Sequence, residues 1–149
     1  MRKGLSVVEL GDLLELPFNA TLATYRRDGS VLLSPVWHEW HDGGFSIITG
    51  ATDVKLRHVE RDPRAVAVVS DNDFPFRCVE VTATPTVVRD RAFSLDTLQR
   101  IARRYLGDAA GRAYASRSDS DDSVVLRLVP GVLRTWDFAD EAELFNANG

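Results

Sequence analysis

FNATLATYRRDGSVLLSPVWHEWHDGGFSIIT, residues 18–49, decides the fold, because it holds three apolar, β-branched runs separated by two turn signals. Phe18 to Tyr25 and Val31 to Trp40 read as strands, joined by Arg26-Arg27-Asp28-Gly29-Ser30. Asp28-Gly29 is a hairpin signal, since both residue types tolerate the positive φ that a tight reversal needs. His41-Asp42-Gly43-Gly44 makes a second tight turn into Phe45 to Thr49. Three strands in an antiparallel meander follow.

Downstream, Gly50 and Ala51 break the pattern. Thr52 is placed to cap a helix running to about Arg61, with Asp53 in its first turn and Asp62-Pro63 as its stop. Ala65 to Ser70 is a continuous apolar run of strand length, expected to be buried on both faces. A polar, aromatic loop from Asp71 to Phe76 leads into a strand from Arg77 to about Val88, with Pro85 marking a bulge or an edge. Leu95, Leu98, Ile101, Ala102 and Tyr105 fall at helical spacing between Ala92 and Leu106, and Gly107 is a natural C-cap. Ser116 to Ser123 reads as a loop, and Val124 to Trp136 as a last strand interrupted at Pro130-Gly131. The acidic tail from about residue 137 is expected to be loosely held. Upstream, Ser6-Val7-Val8-Glu9 has capping-box form and opens a short helix that Pro17 ends.

About six antiparallel strands with helices at their ends predict a mainly β architecture, a closed or split β-barrel, because closure removes exposed strand edges. A doubly wound sheet would need helices between nearly all strands. The 149 residues are read as one domain, long enough to bury a core. No apolar run reaches the length of a bilayer span, and the basic start Met1-Arg2-Lys3-Gly4 has no apolar signal core behind it, so export is not expected. A net charge of −4 argues against general nucleic-acid binding, though a local basic cluster can still hold a small phosphate ligand. The single cysteine, Cys78, excludes an intramolecular disulfide and reads as a small apolar filler of a strand.

Two features carry candidate chemistry. The junction from Ile47 to Arg61 runs strand, Gly-Ala turn, helix, a geometry whose unsatisfied amides and dipole attract anions. Thr49 and Thr52 add hydroxyls there, and Lys55 lies one turn into the helix; a plain surface helix with solvated charges is the alternative. In Ser34-Pro35-Val36-Trp37, a proline inside a strand marks an edge, or a place where a planar ligand meets the backbone amides near Val36. No metal site is expected: His38 and His41 fall on opposite strand faces at odd spacing, and neither His58 nor any carboxylate pair completes a ligand set. No serine sits in a Gly-x-Ser-x-Gly elbow. Core packing is the default for Trp37, Trp40 and Trp136.

Taken in order, Ala20-Thr21-Leu22-Ala23-Thr24, Asp28-Gly29-Ser30, Ser34-Pro35-Val36-Trp37, Thr49-Gly50, Lys55-Leu56-Arg57-His58-Val59 and Arg61-Asp62-Pro63-Arg64 resemble the pyridoxamine 5′-phosphate oxidase-like split-barrel superfamily. Within it they are most similar to the actinobacterial oxidoreductases that use the deazaflavin coenzyme F420. With export not expected, a cytoplasmic location is; the resemblance implies a homodimer with its cofactor between subunits, coenzyme F420 or alternatively FMN, and hydride transfer to a small electron-poor substrate. It implies that the strand of Ser34, Pro35 and Val36 lies beside the tricyclic ring, and that Ile48, Thr49 and Gly50 supply backbone contacts. The helix with Thr52, Lys55, Arg57 and His58 then neutralises the phosphate. The loop around Phe76 and Arg77 meets the partner's cofactor, with Arg77 a candidate for stabilising charge on substrate or holding the cofactor tail. No residue is assigned a catalytic role. Two positions depart from the family's pattern: His58 replaces an amide, and Asp53 stands where some relatives carry a basic residue or serine, a carboxylate that would repel a phosphate. A non-catalytic flavin or deazaflavin binder is the remaining alternative on the same fold.

Overall fold

A computed structural model describes residues 1–118 and 122–146. In chain order the strands and helices are β1 (Arg2–Lys3), β2 (Ala20–Tyr25), β3 (Val31–Val36), β4 (Glu39–His41), β5 (Gly44–Gly50), α1 (Val54–Arg61), β6 (Ala65–Ser70), β7 (Cys78–Ala83), β8 (Thr86–Val88), α2 (Arg91–Leu106), α3 (Asp108–Arg117), β9 (Ser123–Leu128), β10 (Val132–Asp137) and α4 (Ala142–Asn146). The strands form a six-stranded sheet ordered β1-β10-β7-β6-β2-β3 and a four-stranded sheet ordered β4-β5-β9-β8, with every described pairing antiparallel. This is a split barrel. The expected six strands are ten because three predicted strands each divide in two, and β1 adds a short edge to β10.

Each division is a crossing from one sheet to the other. The run Val31 to Trp40 breaks at Trp37-His38, Arg77 to Val88 breaks at Thr84-Pro85, and Val124 to Trp136 breaks across Val129 to Gly131. Two of the three breaks carry a proline, which cannot donate to a ladder and so ends pairing on one sheet. Pro35, by contrast, stays within a strand, opposite Thr21 on β3, the edge strand of its sheet. The hairpin readings agree with the backbone: Gly29 has φ 85, and Asp42 and Gly43 have φ 48 and 71. Gly44 has a different reason for its small size, since a Cβ there would meet the Leu128 carbonyl oxygen at 2.8 Å.

Between the sheets Leu22, Phe45, Ile47, Val69, Val79, Val81, Leu126 and Leu128 form the core, closed at one end by Leu10 and Leu13 and at another by Leu56 and Val59 of α1. The capping box at the start is real, with Ser6 Oγ accepting from the Glu9 amide at 3.2 Å and Glu9 Oε2 accepting from the Ser6 amide at 2.6 Å. It opens only a 3₁₀ turn, Val8–Leu10, which Gly11 ends with φ 65. Ala65 to Ser70 is buried on one face, not both. Ala65, Ala67 and Val69 point into the core, whereas Val66 and Val68 are half-buried on an outer sheet face that also shows Val31, Leu33 and Val132. Residues 108–117 form α3, which takes in Ser116 and Arg117 of the expected loop and is held to α2 where a Cβ on Gly111 would lie 2.5 Å from the Arg103 Cα. Of that expected loop, residues 119–121 lie outside the described residues. The tail is also better held than expected: Phe138 and Phe145 pack with Phe74 and Phe76, and the N-terminal ammonium pairs with Asp140 and Glu141. Among the described residues no helix is long and apolar enough to cross a membrane.

α2 lies along the four-stranded sheet and is latched to the rest of the chain by two consecutive side chains. Arg104 donates to the carbonyls of Glu15, Leu16 and His38; the Tyr105 hydroxyl donates to the Phe18 carbonyl at 2.7 Å and accepts from the His38 amide at 3.2 Å. His38 itself is fully buried, with Nε2 3.0 Å from the Phe18 carbonyl and no partner for Nδ1. A carbonyl only accepts, so Nε2 carries the proton. Burial, helped by the nearby Arg104 charge, pushes the His38 imidazole down to about 3 from 6.5. Its folded pKa is below its unfolded one, so this contribution is complete above pH 6.5 and is lost as pH falls toward 3. Stability is therefore expected to drop by about 1 kcal/mol between pH 6 and pH 5, since the unfolded chain takes up most of a proton that the folded chain refuses. Urea titrations at the two pH values measure it, and His38→Gln should flatten the slope.

Candidate functional site

β3 is the last strand of its sheet, so one side of its backbone is unpaired. β5 has a similar free stretch. Its neighbour β4 pairs only with Gly44 to Ser46, leaving Ile47 to Gly50 bonded on the β9 side alone. Where the barrel splits, a cleft of about 200 Å³ is lined by Val36 of β3, Ile48 of β5, Lys55 of α1, Trp37, and Leu98, Ile101 and Tyr114 from α2 and α3. The Trp37 ring stacks on Tyr105 at 4.8 Å and 6°, and Tyr114 stands 5.5 Å from it. The site is thus apolar and flat-walled, flanked by unpaired strand backbone and carrying one cation. Those are the properties a planar, polar-edged, anionic ligand needs.

The α1 end of the site differs from the sequence expectation. Asp53, not Thr52, is the N-cap, and the helix is the eight residues Val54–Arg61. Asp53 has extended backbone (φ −65, ψ 142), and its Oδ1 accepts from the Lys55 amide at 2.8 Å. Its Oδ2 takes the Lys55 ammonium at 3.0 Å. Other donors at the turn are also committed, the Ala51 amide to the Asp122 carbonyl at 2.6 Å and the Asp53 amide to the Gly50 carbonyl at 3.0 Å. Thr52 is exposed.

Lys55 and Arg57 do not share a wall, because residues two apart on a helix do not face each other. Arg57 lines a separate hollow of about 360 Å³ with Arg27, Val54, His58 and Arg61. Arg61 is tied to the Tyr25 carbonyl. His58 turns inward, with Nδ1 3.0 Å from Thr24 Oγ1, and burial, reinforced by the charges of Arg61, Arg26 and Arg57, holds its pKa below 6.5. At this position the imidazole anchors α1 to β2.

Of the remaining candidates, Ser34 and Pro35 lie on β3 next to the cleft, with Ser34 half-buried and Pro35 exposed on the opposite strand face. Thr49 is buried, and its Oγ1 has no hydrogen-bond partner. Gly50 is exposed, and a Cβ there would meet nothing within 4 Å. Arg77 does not line its own chain's cleft: it donates to Asp71, to the Leu10 carbonyl at 2.8 Å and to Asp12 at 2.6 Å. Leu98, Ile101 and Tyr114 were missed as site residues. The first two were legible only as a helix core face, and Tyr114 sits in an alanine-rich stretch with little periodic signal.

Searching curated protein sequences finds no match. Solved structures give many. The conserved hypothetical protein Rv2991 from Mycobacterium tuberculosis is 23% identical with a TM-score of 0.81, over 93% of this chain and 89% of that one. An F420 reductase is 26% identical with a TM-score of 0.64, over 82% and 93%. The heme storage protein HutZ from Vibrio cholerae is 16% identical with a TM-score of 0.69, over 88% and 94%, and shares the fold. The pattern of the pyridoxamine 5′-phosphate oxidase family matches residues 9–137, nearly the whole barrel. The chain therefore belongs to the pyridoxamine 5′-phosphate oxidase family.

Proposed function

We propose that this chain is an oxidoreductase that binds coenzyme F420 in the cleft between Val36 and Ile48. The observation that carries the reading is the meeting of two unpaired strand stretches and Lys55 around a flat apolar slot. The F420 reductase at 26% identity supports the deazaflavin over FMN. The residues present fit such a group: the strand backbone of Ser34 to Val36 and of Ile48 to Gly50 lacks a sheet partner on one side and is open to the ring edge. Lys55 holds the phosphate, while Trp37 and Tyr114 exclude water from the ring. When bound and reduced, the cofactor supplies a hydride to an electron-poor substrate, and the protein contributes orientation and dryness.

A cleft of about 200 Å³ is smaller than the roughly 300 Å³ from which small-molecule pockets usually begin. A second copy completing the site accounts for this. The outer face of the six-stranded sheet, where Leu33 is 65% exposed beside Val31 and its cross-strand row runs through Ala23, Val66 and Thr82 to Val132, is the apolar surface that would join the two. Fluorescence titration with coenzyme F420 and with FMN tests the cofactor. F420 is expected to bind more tightly, and Lys55→Ala to weaken it about tenfold, the value of one charge-assisted contact. Tighter binding of FMN would reverse the cofactor assignment, and unchanged affinity in Lys55→Ala would remove the phosphate role. Oxidation of bound reduced F420 should accelerate with some member of a panel of quinones, enones and tetrapyrroles; no acceleration anywhere would make the protein a binder.

A further inference from the structure

We propose that Asp53 is a specificity-determining residue: it fills the N-terminus of α1 with the chain's own carboxylate and so favours a cofactor phosphate bearing one negative charge over one bearing two. The inference rests on the reading that a flavin-type ring occupies the cleft with its phosphate near Lys55. A strand–turn–helix junction ordinarily offers free amides to an anion. Here the amides of Ala51, Asp53 and Lys55 already donate within the chain, the last of them to Asp53 itself. The second carboxylate oxygen takes the Lys55 ammonium, with both side chains partly buried.

An incoming phosphate therefore meets a lysine whose charge is already matched. Lys55 keeps further N–H donors for a ligand oxygen, since an ammonium has three. The remaining wall residues, Val36, Trp37, Ile48, Leu98, Ile101 and Tyr114, carry no charge to offset another anion. Arg27, Arg57 and Arg61 open into the hollow lined with Val54 and His58, and are not part of this wall. A phosphodiester, as in coenzyme F420, is a monoanion at any physiological pH. A phosphomonoester, as in FMN, has a second pKa near 6 and carries close to two charges at pH 7. That second charge is what Asp53 opposes. The residue that departs from the family's pattern becomes, on this view, the one that selects among the family's cofactors.

Riboflavin and FMN share a ring and differ by the phosphate, so the pair isolates the effect. Fluorescence titrations of riboflavin, FMN and coenzyme F420 are made with the unaltered chain and with Asp53→Asn. Asparagine caps a helix as well as aspartate does, so the fold is kept, which circular dichroism checks. The unaltered chain is expected to bind FMN no more tightly than riboflavin. Asp53→Asn is expected to tighten FMN about tenfold, with riboflavin unchanged within about twofold and F420 moving less than FMN. Ring binding in which Asp53→Asn leaves FMN unmoved overturns the role of Asp53 and leaves the cofactor site standing. FMN far tighter than riboflavin in the unaltered chain has the same consequence. No binding of any of the three ligands to either protein overturns both.

Discussion

Arg77→Ala is expected to destabilise the protein by about 4 kcal/mol while leaving the ring affinity of the folded chain within about twofold. Arg77 is 18% exposed, and its partner Asp71 only 7%. Removing the guanidinium strands a buried carboxylate and the Leu10 carbonyl together, and an uncompensated buried charge is among the costliest defects a single substitution makes. Asp12, largely exposed, adds little. The clamp ties the loop before β7 to the N-terminal 3₁₀ turn, which carries the core residue Leu10. Urea unfolding of the variant measures the loss, and flavin titration on the same sample separates the two roles. A stable Arg77→Ala chain with strongly weakened cofactor binding would instead support the contact with a partner's cofactor that the resemblance implies.

Arg104→Ala is expected to cost about 3 kcal/mol and to disturb the cleft as well. The side chain reaches three carbonyls, of Glu15, Leu16 and His38, and has no carboxylate partner among the described residues. Burial lowers its pKa from 12.5, although the guanidinium stays charged. Each hydrogen bond from a charged donor contributes about 1.5 to 3 kcal/mol, and the stranded acceptors are partly reached by water in the variant. Tyr105 next to it stacks on Trp37, a cleft wall, so loosening α2 moves the aromatic wall with it. Loss of stability by thermal melting, together with a changed Trp emission spectrum, is the expected signature. Arg104→Lys should recover only part of it, because a lysine cannot span three divergent acceptors.

Much of this fold can be read along the chain because local chemistry dictates it. The Asp28-Gly29 and Asp42-Gly43 reversals are where expected, since a positive φ limits which residues fit. Val79, Val81 and Ala83 turn one way on β7 as their alternation predicts. α2 ends at Gly107, with φ 83. The misses have a common cause. Whether a long apolar run stays in one sheet or crosses to another depends on what lies opposite, as Trp37-His38 and Val129 to Gly131 illustrate. α3 went unseen because Ala109, Ala110, Gly111 and Ala113 give no amphipathic signal. Its packing needs small residues against the Arg103 backbone.

By itself the sequence determined the strand–turn grammar, the split-barrel class and the order of motifs that places the chain in its family. Those follow from φ preferences, two-fold alternation and helix caps, which act over a few residues. Tertiary structure alone decided which of the candidate residues meet. It set Val36, Ile48 and Lys55 around one cleft with Leu98 and Tyr114, turned Arg57 to another hollow, sank His58 against Thr24 and bound Arg77 to Asp71. The reason is physical. A side chain's role is set by what lies beside it in space, and for Lys55 in the cleft, His58 against Thr24 and Arg77 on the Leu10 carbonyl those neighbours come from segments far apart in the chain.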